Sequence, residues 1–310
     1  MEQGELNLGQ RYLNRFETNG KSLETVNTCK YSMLMLYRWK MKNDTLLLEN
    51  IPDELIKGIT EDDVELFRSH LSQNLMNSSS NTYLIFLSSF YSWLQSKKYV
   101  EENPFILDGR GLEKFSTPKR QPITMELPEV QTMINYLSRQ TKKSAKRDSV
   151  ILSAIVGGGM RISEVLKMKP EHIEMKQLED GTETYQLKII GKGDKERRTI
   201  LPENIGVMLR NYAIRNYIDK DEKMFNVTDR TIERNMKSYM KNSGLSTEYT
   251  PHKLRHTFAT MLWEQDVPIE EIAEYLGHTS VNTTKDSYVN IKNGQRAKSA
   301  KAHPMNLIDL

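Results

Sequence analysis

Six side chains of types that suit phosphoryl transfer are spread over the later half of the chain: Arg161, Lys192, His252, Arg255, His278 and Tyr288. A phosphodiester attacked by an oxygen nucleophile gathers charge on its non-bridging oxygens. Arginine forks bind such oxygens bidentately and keep their charge at any working pH. A lysine can protonate a leaving alkoxide, a histidine can take or return a proton near neutrality, and a tyrosine hydroxyl can form a covalent intermediate. Each residue alone has a plainer reading. Arg161 and Glu164 form an ordinary i,i+3 pair, Lys192 sits at a hairpin tip where lysines are common, and single histidines and tyrosines are usually structural. Spacing alone does not bring them together.

The segment TPHKLRHTFAT (250–260) is the most specific of these stretches. Thr250 is a fair N-cap and Pro251 suits the first helical position. At 100° per residue Leu254, Phe258, Met261 and Leu262 share one arc, the expected buried face. His252, Arg255 and His256 fall on the neighbouring arc, at the helix end where free N–H groups favour an anion. Cations there oppose the helix dipole, a cost that an arriving anion offsets. Lys253 is expected to face solvent or a bound anion, and His256 to pack or hydrogen-bond.

The elements that must position these groups follow from hydrophobic periodicity. The first part reads as helical: 22–41, 59–75 (opened by Thr60 and Asp63, close to a capping box) and 81–100, the last stopped by Pro104. Residues 108–126 bring glycines, prolines and basic residues, a linker that places a domain cut near 118. Beyond it, helices are expected at about 127–139 and 146–156. The glycine run 157–159 then breaks the chain before a short helix opened by Arg161. Tyr185, Leu187 and Ile189, then Thr199 and Leu201, alternate around Gly191, Gly193 and Asp194, a β-hairpin with Lys192 in its turn. Helices follow at about 203–218, 229–242, 251–265 and 268–276, with Gly277 as a C′ residue.

Composition narrows the class. The chain has 310 residues, enough for two domains, and 27% charged against 37% hydrophobic residues, an ordinary soluble balance. No run approaches a membrane span, and the polar start lacks a secretory pattern. The single cysteine, Cys29, excludes an internal disulfide and a cysteine metal cluster and fits a cytoplasmic setting. Residues 1–115 carry 13 Lys and Arg against 16 Asp and Glu, which leaves 31 against 25 for the rest. The basic excess therefore lies in the part that holds the six residues, a lean towards a polyanion. No DxD, HExxH or GxxxxGK[ST] pattern offers a metal or ATP site, so no cofactor is expected.

Four blocks, GGGMRISEVLKMKPEHI, GKGDKERRTILP, TPHKLRHTFATMLWEQDVPIEEIAEYLGHTS and NTTKDSYVNI, together resemble the tyrosine recombinase/integrase family, in its order and at plausible separations. The resemblance covers about 120–290, and the helical first part is similar to the family's core-binding domain. It implies a mainly α fold with a small β-sheet in the catalytic domain: a helical core-binding domain (1–118), a mixed α+β catalytic domain (119–290), and the two closing as a DNA clamp. The family pattern of Arg, Lys, His-x-x-Arg, His or Trp, and Tyr falls on Arg161, Lys192, His252, Arg255, His278 and Tyr288, with Glu164 matching a supporting acidic residue. Met160 stands where leucine is usual, and the His278–Tyr288 spacing is ten where many members have nine; Tyr288 is the only tyrosine after His278.

The resemblance further implies metal- and ATP-independent site-specific recombination. Tyr288 would form a 3′-phosphotyrosyl link, Arg161, Arg255 and His278 would hold the transition state, Lys192 would protonate the leaving 5′-oxygen, and His252 would act on the tyrosine proton. The expected partners are a specific double-stranded site and three further copies, a tetramer on two sites, with accessory proteins left open. The tail 291–310 is expected to dock on a neighbouring protomer. About 118 residues before the linker suit a short, Xer-like form without an arm-binding domain, serving dimer or cointegrate resolution or the movement of an element. Topoisomerase IB-like relaxation and a catalytically silent DNA-binding protein are the alternatives.

Overall fold

The structure is a computed structural model that describes residues 6–107, 109–118, 123–177, 181, 183–191, 196–278, 280–282 and 284–285. Lys192, Tyr288 and the tail 291–310 lie outside the described residues. Packing divides the chain into two compact units, Met1–Lys119 and Arg120–Leu310.

The first unit is helical: α1 (Leu8–Thr18), α2 (Leu23–Met41), α3 (Asp53–Lys57), α4 (Glu61–Asn74) and α5 (Asn77–Ser96). The polar start of the chain conceals α1. Asn7 caps it reciprocally with Gln10 and also donates to the carbonyls of Leu48 and Ile51, so α1 is fixed to the segment before α3. Thr60 and Asp63 form the capping box that opens α4. Helix α5 ends sooner than expected. Lys98 takes a left-handed φ of 60° and the Tyr99 N–H returns to the Leu94 carbonyl, so a local cap, not Pro104, stops it. Leu36, Tyr37, Phe67, Leu87, Phe90, Tyr91 and Leu94 form a closed core, in which the hydroxyls of Tyr37 and Tyr91 meet at 3.0 Å. Burial pushes the Cys29 thiol in this core up to about 12, so it stays a protonated packing group. A short paired ribbon, β1 (Ile106–Leu107) and β2 (Arg110–Gly111), leads into the expected linker.

The second unit is built on α7 (Lys143–Gly158), whose Ile151, Leu152, Ala154 and Ile155 are fully buried. Around it pack α6 (Leu127–Ser138), α9 (Glu203–Arg215), α10 (Asp229–Asn242) and α11 (Pro251–Glu264). Helices α8 (Ile162–Val165) and α12 (Ile269–Leu276) are two further helices of this unit. The expected hairpin is the larger part of a three-stranded antiparallel sheet, β3 (Ile173–Gln177), β4 (Glu183–Ile190) and β5 (Glu196–Leu201), in the order β3–β4–β5. Ile173 pairs with Leu187, and Tyr185 with Leu201. Strand β3 escaped the sequence because Glu174 and Lys176 leave it only one buried residue, Ile173.

The glycine run does less breaking than expected and more packing. Gly157 and Gly158 are still helical, and a Cβ on them would fall 2.8 Å from the side chains of Ile205 and Leu201. Only Gly159 leaves the helix, with φ +61°, and a Cβ there would collide with the Phe258 ring. Bare backbone at these three positions lets α9, β5 and α11 close onto the end of α7. Among the described residues no helix is long and apolar enough to cross a membrane.

Candidate active site

The site is assembled where α7, α11 and α12 end or begin. Glu164, in α8, is its hub. The Glu164 carboxylate accepts from the backbone N–H of Arg161 at 2.8 Å and from Arg161 Nη1 at 2.9 Å. Arg197 on β5 grips both of its oxygens, at 2.6 and 3.0 Å. Arg255 Nη1 lies 3.8 Å away. Burial alone would raise the carboxyl pKa; the hydrogen bonds from Arg197 and from the Arg161 backbone hold it down at about 2. Within this described cluster one negative charge faces three guanidiniums.

The arginines differ in setting. Arg161 leaves 41% of its side chain open, so its guanidinium can meet a ligand from solvent. Arg255 is only 3% exposed and donates to the carbonyls of Gly159 and Leu276. These are the C-terminal ends of α7 and α12, where helix dipoles favour a cation. The same guanidinium lies 3.3 Å from His278 Nε2. Gly277, left-handed at φ +62° as the C-cap of α12, turns the chain to present His278. A Cβ there would sit 2.6 Å from Arg197 Cδ and Nε. His278 Nδ1 meets the buried Thr284 hydroxyl at 2.8 Å, which fixes the ring.

His252 and His256, one turn apart on α11, bring their Nε2 atoms to 3.1 Å with the rings nearly perpendicular. Desolvation, then the positive charges of Arg255 and Arg161, lower the pKa of His252. Desolvation with the charges of His252 and Arg255 takes His256 down to about 4. His278 falls to about 4 too, again through desolvation first and then Arg255 and Arg161. All three imidazoles are therefore neutral at pH 7.

Of the residues singled out in the sequence, Arg161, Glu164, His252, Arg255 and His278 come together. Lys192 falls in the segment 192–195, outside the described residues, as does Tyr288; the flanking pair Ile190 and Glu196 closes the β4–β5 ladder on either side of that segment. The buried face of α11 differs from expectation. Leu254, Arg255, Thr257, Ala259 and Thr260 are buried, whereas Phe258, Met261 and Leu262 are only partly so. The helix packs on two sides: Leu254 joins the core around α7, while Ala259, with Phe258, Leu262 and Trp263, joins Ile269, Ile272 and Leu276 of α12. Arg197 was missed, although Arg197, Thr199 and Leu201 alternate along one face of β5, and a cation on a buried strand face is a signal in its own right. Among the described residues no three His, Cys, Asp or Glu side chains gather as a metal-ligand group.

Residues 124–294 match the model of the phage integrase family. The chain belongs to the phage integrase family. This integrase-family chain is 26% identical to the tyrosine recombinase XerC of Caldanaerobacter subterraneus subsp. tengcongensis, over 96% of its own length and 86% of the relative's. It is 25% identical to the tyrosine recombinase XerD of Rickettsia prowazekii, over 80% and 84%. In fold it is similar to the XerH site-specific recombinase bound to difH substrate (TM-score 0.65, 22% identity, covering 91% of this chain and 80% of that one). It is likewise similar to a lambda integrase dimer bound to a COC′ core site (TM-score 0.64, 16% identity, 90% and 93%). The mainly helical fold with a small antiparallel sheet is that of these integrase-family catalytic domains.

Proposed function

We propose that the protein is a site-specific DNA recombinase, which cuts a recombination site through a tyrosine–DNA bond and rejoins the strands in a new pairing. The observation that carries this reading is the gathering of Arg161, His252, Arg255 and His278 about one buried carboxylate, with neutral histidines among the guanidiniums. Such a pocket attracts a phosphodiester and strengthens its grip as charge builds on the phosphate. The XerC and XerD relatives, both tyrosine recombinases, support the same reading, as do the DNA-bound recombinase neighbours.

In this mechanism the Tyr288 oxygen attacks phosphorus and loses its proton to His252. Arg161, Arg255 and His278 hold the non-bridging oxygens, and Lys192 gives a proton to the departing 5′-oxygen. Glu164 and Arg197 keep the arginines in place. The phosphodiester energy stays in the tyrosyl bond, so the 5′-hydroxyl of the partner strand restores the backbone without ATP. Two duplexes present four strands and each chain has one such tyrosine, so four protomers share the work. The family resemblance adds a two-domain grip on DNA and a tail, 291–310, that docks on a neighbour. Deleting 297–310 is then expected to weaken cooperative assembly more than binding to a single site.

Covalent trapping tests the reading. Nicked duplexes tiled from the DNA flanking the gene, incubated without metal or ATP, are expected to yield a denaturation-resistant adduct on one fragment. Tyr288→Phe should abolish the adduct and retain binding. An adduct that survives this substitution removes Tyr288 from the mechanism.

A further inference from the structure

The His252–His256 contact limits how His252 can work. Two neutral imidazoles whose Nε2 atoms lie 3.1 Å apart share one hydrogen: one Nε2 carries it and the other accepts it. The Nε2 of His252 is thereby engaged within the helix, and Nδ1 is the nitrogen it has left for exchange with a substrate. For Nδ1 to act as a base, the hydrogen must sit on Nε2. We propose that His256 is a positioning residue for His252: it accepts the Nε2–H of His252, fixes that ring and its tautomer, and leaves Nδ1 as the atom that takes the tyrosine proton. The inference rests on the recombinase reading for its chemistry but not for its geometry.

The step balances simply. The tyrosine O–H bond breaks as the O–P bond forms, and the proton goes to His252 Nδ1. The resulting imidazolium keeps its Nε2–H on His256, a hydrogen bond that favours the charged form and makes His252 a better base. His256 suits this role because it stays neutral through the working range, and a neutral ring that carries its hydrogen on Nδ1 accepts at Nε2. The charged groups that act on the pair are Arg255 on the same helix and Arg161 ahead of α8; His278, beyond α12, feels His256 in turn. Both arginines disfavour an imidazolium at His252, which gives the acceptor a definite task. The perpendicular rings, with centroids 4.6 Å apart, hold the contact in place.

Two measurements test this. In the free full-length protein labelled with 15N-histidine, long-range nitrogen–proton spectra are expected to show His252 as the Nε2–H tautomer and His256 as the less common Nδ1–H tautomer. The reverse assignment, or ordinary averaged tautomers at both, overturns the proposal. This arm needs no DNA, so its failure is distinct from failure of the recombinase reading. The second arm is single-turnover cleavage of the trapped duplex against pH. His256→Phe keeps a ring but removes the acceptor, and should slow cleavage about tenfold and move the acid limb of the profile to lower pH. His256→Gln, which restores an acceptor at similar reach, should recover most of the rate and the limb. A uniform loss of rate with an unmoved limb in both variants would reduce His256 to packing and overturn the assignment.

Discussion

Arg197 closes on Glu164 with two nitrogens against two oxygens, at 2.6 and 3.0 Å, so the acid that steadies Arg161 is itself clamped from the β-sheet. Glu164→Gln deletes the charge that three guanidiniums share. Its expected cost is about 3 kcal/mol in denaturant unfolding, because partly buried cations are left facing each other. Arg197→Lys keeps the charge but has one donor point where two are needed. It should cost less stability than Glu164→Gln, while adduct formation still falls at least about tenfold.

Arg161 and Arg255 should separate chemistry from folding. Arg161→Ala removes an accessible fork and an i,i+3 ion pair, a loss of about 0.5 kcal/mol in stability. Its cleavage rate should nonetheless drop on the order of 10²–10³-fold, as when a preorganised donor is taken from a developing anion. Arg255→Ala should lose the activity and also about 3 kcal/mol of stability, since the carbonyls of Gly159 and Leu276 lose a buried donor. Thermal melts beside single-turnover assays make the comparison.

The depressed histidines set the acid side of the stability curve. His256 and His278 titrate near 4 when folded but near 6.5 when unfolded, so the unfolded chain binds more protons between those values. Stability is then present in full above about pH 6.5 and falls as pH drops towards 4. Glu164 acts in the same direction lower down, through about pH 2. Bound phosphate favours imidazolium, so DNA binding at about pH 5.5 should draw protons from the buffer and at about pH 8 should not. Calorimetry in two buffers of different ionisation heat measures the uptake; equal heats at the lower pH would contradict it.

Two left-handed glycines offer a control on packing. Gly244, at φ +76°, has open space where a Cβ would go, so Gly244→Ala should cost about 1 kcal/mol from backbone strain alone. Gly159, at φ +61°, faces the Phe258 ring, and Gly159→Ala should cost about 3 kcal/mol as strain and overlap combine. Equal unfolding midpoints for the two variants would mean that Phe258 yields freely.

Local signals read well from sequence because local physics sets them. The Thr60–Asp63 box, the Thr250–Pro251 start and the Gly277 stop each depend on a few adjacent residues. Arg161, His252, Arg255 and His278 were legible by type. Their meeting was not, since it depends on Glu164 and on two helix ends far apart in the chain. Strand β3 was hidden because only one of its five residues is buried. The α11 face was misjudged because periodicity assumes one buried side, and this helix has two. Arg197 stands beside the exposed Arg198 in the sequence, and only its pairing with Ile189, itself buried, shows which face it takes.

Arg255 ties the C-terminal carbonyls of α7 and α12 into one frame while standing within reach of His278. A copy of this gene released from selection for strand cutting would therefore shed its arginines in a set order. Arg161, held mainly by its task, would drift early. Arg255 would persist for as long as the chain still had to fold, an intact residue inside an enzyme already silent.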